Sequence, residues 1–142
     1  MTRATVYIRG NIDDNDINKI QDLATKDELL SNQVTLVSMG ERFDANYVSL
    51  GVNILAAIAS LLNIILKSRD LFRKRDEPNE NTTLMLRLQE KISVSTKESV
   101  DVIQLSFPSQ ESIAVTMYES SLDRIVTVRY SRTEEKDILD IS

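Results

Sequence analysis

The stretch from Asp44 to Lys67, DANYVSLGVNILAAIASLLNIILK, limits the possible folds more than any other, because it is uncharged between its ends and apolar turn after turn. It holds no proline, and its single glycine, Gly51, falls in what would be the second helical turn. Asp44 or Asn46 can cap the start, and Asp44 suits the positive end of the helix dipole. Beyond Lys67, Leu71 and Phe72 keep a weak helical stripe until Pro78 forbids continuation, with Arg73, Lys74 and Arg75 set to meet the last exposed carbonyls. The pattern predicts a helix over 45–75, roughly 30 residues and, at about 1.5 Å per residue, about 45 Å long.

Within it, Asn46, Ser49, Asn53, Ser60 and Asn63 recur at helical intervals, and Ala56 and Ala57 continue the same row of small, weakly polar groups. Leu50, Ile54, Leu55, Ile58, Leu61, Leu62, Ile65 and Leu66 cover the rest of the circumference. A helix apolar on most sides is buried in a core, against a partner chain or in lipid. The expectation is a rod over 45–66 with more apolar exterior than a small fold can hide, so that a second body covers it. The candidate partner-binding residues are the row Asn46, Ser49, Asn53, Ala56, Ala57, Ser60 and Asn63, with the basic end Arg69, Arg73, Lys74 and Arg75. As an alternative, about 20 apolar residues would suit a bilayer and the basic end a cytoplasmic flank. The Asn and Ser side chains and the lack of tryptophan weigh against that span.

With 142 residues, 42% hydrophobic and 27% charged, the chain predicts one folded domain over 1–142, with a subdivision allowed near 76–81. A net charge of −5 disfavours nonspecific nucleic-acid binding, which needs a basic footprint. Met1 to Gly10 has no apolar leader core, which points to the cytoplasm. Histidine and cysteine are both absent, which removes Ser-His-Asp and Cys-His catalysis together with the usual zinc and non-haem iron sites. Carboxylate pairs, a Ser-Lys dyad and hard-metal oxygen sites stay formally open. The expectation is a protein that is not an enzyme and holds no cofactor or metal.

Thr5 to Arg9 alternates as a strand, with Val6 and Ile8 on one face and Thr5, Tyr7 and Arg9 on the other, ended by Gly10-Asn11. Asp13, Asp14 and Asp16 open a helix carrying Ile17, Ile20, Leu23 and Ala24; the cluster lacks the glycine and terminal glutamate of an EF-hand and reads as a helix start. Gln33 to Ser38 is a second strand, sharing one sheet with the first. No GxGxxG or GxxxxGK[ST] motif occurs, so familiar nucleotide binding has no support. Asp76 to Asn81, DEPNEN, reads as a loop, and Leu84, Leu86, Leu88, Ile92 and Val94 as one bent strand or a hairpin. Val100 to Phe107 fits strand or helix up to Pro108. Ser112 to Tyr118 and Arg124 to Tyr130 predict an antiparallel hairpin. The charged tail from Thr133, ending DILDIS, reads as a frayed turn or a docking peptide.

Together these readings predict an α+β fold, a small mixed β-sheet in the order β-α-β-α-β-β-β packed against one long hydrophobic helix. TVYIRG, an acidic-started helix, QVTLVSMGE, and an Ala/Leu/Ile-rich helix ending in a basic patch resemble, in layout, the effector-associated constant-component domains of prokaryotic conflict systems. The likeness runs from the N-terminus to about Ser95. It implies a noncatalytic adaptor or assembly part beside an effector. The function expected is therefore a noncatalytic protein-protein interaction or assembly module that binds itself or another protein through helix 45–75, as an adaptor or sensor component of a bacterial defence system. The alternatives are a membrane-associating protein acting through helix 45–66, and a small acidic inhibitor or immunity protein using Asp13 to Asp16.

Overall fold

A computed structural model describes residues 4–10, 12, 14–25, 34–38, 50–67, 78–97, 99–109, 111–133 and 136–142. Among these residues nine elements follow in order: β1 (Ala4–Gly10), α1 (Asp14–Thr25), β2 (Val34–Ser38), α2 (Val52–Lys67), α3 (Pro78–Thr96), β3 (Val100–Ser109), β4 (Ser112–Glu119), β5 (Arg124–Arg132) and β6 (Asp137–Ile141). The strands form one six-stranded mixed sheet in the order β2-β1-β6-β5-β4-β3. β1 is parallel to both β2 and β6, and the pairs β6-β5, β5-β4 and β4-β3 are antiparallel.

Strand alternation decides where the core lies. Val6, Ile8, Leu139, Ile141, Val126, Val128, Tyr130, Ile113, Val115 and Met117 all point to one face and are buried. The apolar stripes of the three helices close over that face: Ile17, Ile20 and Ala24 of α1, Leu84, Leu88 and Ile92 of α3, and nearly all of α2. From Ile54 to Leu66 every α2 residue is buried except half-buried Asn63. Each Leu or Ile buried there stabilises the fold by about 1.5–3 kcal/mol.

Four expectations change. The apolar helix begins at Val52, not at 45, since Leu50 and Gly51 are not helical, and the first intrahelical bond runs from Leu55 N to Gly51 O at 3.0 Å. Its surplus apolar surface is wrapped by α1, α3 and the sheet. The stretch read as a loop and a strand over Leu84 to Val94 is α3. Leu84, Leu88 and Ile92 lie four apart and are buried, whereas Leu86 and Val94 are 61% and 80% exposed, which is helical and not alternating burial. Pro78 opens this helix, where its missing N–H is not needed. The tail is not frayed, because DILDI forms β6 between β1 and β5 with Leu139 fully buried. The order is therefore β-α-β-α-α-β-β-β-β rather than β-α-β-α-β-β-β. The placing of β1 and β2 in one sheet, here as a parallel pair, and the β4-β5 hairpin stand as expected. Val100 to Ser109 is an edge strand, and Pro108 falls at a register shift, where a strand tolerates a missing donor.

Candidate functional site

Three residues of the expected partner-binding row lie inside the molecule and two more are half-buried. Ala56, Ala57 and Ser60 are buried, and the Ser60 hydroxyl donates to the Ala56 carbonyl at 2.9 Å and meets the Ser95 hydroxyl at 3.1 Å. Asn53 donates through Nδ2 to Oε1 of Glu119 at 3.1 Å, and Asn63 is half-buried. Asn46, Ser49, Arg69, Arg73, Lys74 and Arg75 lie outside the described residues. The described part of the row, Asn53 to Asn63, is thus a seam between α2 and its own neighbours, small where α3 and β4 come close.

Two buried carboxylates hold the beginning of α2. Asp16, 2% exposed, accepts the Leu50 N–H at 3.1 Å, so this acidic residue anchors the approach to α2 besides standing at the start of α1. Glu119 is fully buried at the end of β4 and also accepts the Ser121 hydroxyl at 2.6 Å. Its Oε2 has no hydrogen-bond partner. Buried carboxylates at a helix start are favoured by the dipole. Among the described residues no group of three or more His, Cys, Asp and Glu could hold a metal. No described helix is long and apolar enough to cross a membrane.

Among the described residues no helix packs over the other face of the sheet, although Ile138, which stands there between Tyr7 and Ser131, is only 9% exposed. Parallel strands are usually covered on both faces, whereas antiparallel strands commonly face water. The register lines up three charges there: Arg9 of β1 and Arg129 of β5 both stand opposite Asp140 of β6. The Arg9 guanidinium meets the Asp140 carboxylate twice, with Nε 2.8 Å from Oδ1 and Nη2 donating to Oδ2 at 3.0 Å. Beside it Lys136 Nζ sits 5.3 Å from the centre of the Tyr7 ring, within cation-π range. Further along, Thr116 and Thr127 pair their hydroxyls at 3.3 Å, and Ile125 is 60% exposed.

No family model, curated protein or solved structure matches this chain. The functional reading therefore rests on the geometry.

At the far end of the open face the Tyr118 phenol donates to Asp123 Oδ1 at 2.7 Å. That bond, with the charges of Asp123 and Asp101, raises the Tyr118 pKa above 10.0. The folded state favours the neutral phenol, so the contribution is whole below pH 10.0 and is lost as pH rises through the higher folded value. Asp123→Asn removes the charge and should bring Tyr118 down toward 10.0, read by its ultraviolet phenolate band. An unchanged alkaline titration would contradict the bond.

Proposed function

We propose that this chain is a noncatalytic interaction and assembly module, and that it docks through the open face of the sheet and not through α2. The observation that supports this reading is the side of β2-β1-β6 over which no described helix packs, with exposed Thr5, Thr35 and Val37 and the tied Arg9–Asp140 pair, opposite a face on which the apolar stripes of the described helices are buried. The absence of histidine and cysteine supports a role without catalysis. The layout likeness to effector-associated constant-component domains suggests the setting, an adaptor or sensor component of a bacterial defence system. The β-α-β-α order through α2 supports that setting, and α3, standing where the expected order had a strand, weighs against it.

A photo-crosslinking residue at Ile125, on the open face, should capture a protein or a second copy of the chain in producing cells. The same residue at Val94, on the outer side of α3, should capture none. Adducts from Val94 alone, or from neither position, would remove the proposal. Neither alternative gains support from the geometry: Asp16 of the acidic cluster is turned inward, and from Ile54 to Leu66 the apolar residues of α2 are enclosed.

A further inference from the structure

We propose that Gln21 of α1 guards the outer edge of β2. Its side chain holds the backbone donor that a second copy of the chain would need in order to add its own β2 there, so the seating of α1 decides whether the sheet can extend. This edge is separate from the open face and from whatever docks on that face.

Among the described residues β2 and β3 each have a neighbouring strand on one side only. An edge strand offers N–H and C=O groups that template pairing with another chain, and native folds blunt such edges with proline, charge, bulges or a cover. β3 is blunted by its own backbone: its register to β4 shifts between Val102 and Gln104 and again between Ser106 and Ser109, with Pro108 inside the second shift. β2 has neither device. Its register to β1 is unbroken from Val34, opposite Ala4, to Ser38, opposite Ile8, and VTLVS contains no charge, proline or glycine. Uncharged and rich in β-branched residues, it is the kind of segment that pairs with copies of itself. An antiparallel β2-β2 pair about a two-fold axis would set no like charges opposite each other, although the chain as a whole carries −5.

What meets this edge is Gln21. Its Oε1 accepts the N–H of Leu36, the middle residue of β2, at 2.8 Å. A backbone donor given to a side chain is withheld from any added strand. Gln21 is half-buried on α1, which packs along β2, so the guard is carried by the fold and not by a loose side chain. A strand adding at Leu36 would have to displace the side chain and would exchange one hydrogen bond for another of similar strength.

The test compares full-length Gln21→Leu, Gln21→Asn and Gln21→Glu with the parent by sedimentation over a range of concentrations, and reads Leu36 amide exchange by NMR. Leucine keeps the bulk and the helix propensity but removes the acceptor, and asparagine keeps the amide but falls one methylene short. In dilute solution both should speed Leu36 exchange by about two- to tenfold, the strength of one hydrogen bond. Both should then dimerise as concentration rises, with Leu36 slowing again. Gln21→Glu, whose carboxylate accepts the same bond, should sediment as the parent does. Adding Thr35→Lys to Gln21→Leu puts a charge on each strand of a β2-β2 pair and should abolish the dimer. Unchanged Leu36 exchange, or faster exchange without added association in either variant, would overturn the proposal. So would a Gln21→Leu dimer that survives Thr35→Lys.

Discussion

Replacing Gly10 by alanine should cost the fold at least about 3 kcal/mol, a large share of the 5–15 kcal/mol that typically holds a domain together. Gly10 ends β1 with φ of +139°, a region that only glycine visits freely. A Cβ built there would stand 2.3 Å from the Ile141 carbonyl oxygen, which belongs to the neighbouring backbone and not to a side chain that can swing away. β6 in turn is hydrogen-bonded on both sides, to β1 and β5, so relieving the clash pulls on two ladders at once. Gly51→Ala is the matched control. Its nearest contact is Leu122 Cδ1 at 2.9 Å, the tip of a side chain 52% exposed, with Glu119 Oε2 at 3.3 Å. That tip can rotate, and the loss should stay within about 1 kcal/mol. Urea unfolding of the two variants checks the pair. Equal losses would mean that the β1-β6 approach is looser than described.

How far the sequence discloses this fold depends on the distance at which each element finds its partner. β1, β2 and the β4-β5 hairpin are readable because alternation and nearby turns specify them locally. β6 is not, since its partner β1 lies at the other end of the chain, and DILDI beside a charged run gives little pattern of its own. α3 misleads for a different reason. Leucines at 84, 86 and 88 satisfy a period of two, while 84, 88 and 92 satisfy a helical stripe equally well. Helix-favouring Met, Leu, Arg, Gln, Glu and Lys, together with Pro78 at the start, were the signals that separate the two. Of the open face, Thr5, Tyr7 and Arg9 were legible as one side of a strand. The alignment of Arg9, Asp140 and Arg129 was not, because it exists only once β6 is inserted between β1 and β5. The apolar stretch was read correctly as a helix, but its length and surplus surface were not, since the stripes of α1 and α3 that cover it could not be assigned to it from sequence.

Leu62→Ala should destabilise the protein by about 2–5 kcal/mol, because it empties a site sealed on all sides. Leu62 is fully buried in the middle of α2, the helix that packs on both α1 and α3. At the urea dependence usual for small domains, such a loss lowers the unfolding midpoint by on the order of 1–2 M. Val52→Ala, at a position 70% exposed on the same helix, should change stability by no more than about 0.5 kcal/mol. Protein concentration separates a helix covered by its own chain from one covered by another copy. A fold that encloses α2 unfolds at the same midpoint whether dilute or concentrated, whereas a helix buried by association gains stability as concentration rises. A midpoint for the parent chain that climbs with concentration, and a Leu62→Ala loss that shrinks on dilution, would return α2 to the role of interface. Assembly through the open face makes the opposite demand: Arg129→Gln, which puts no second carboxylate opposite Asp140, should weaken association while changing the dilute midpoint little.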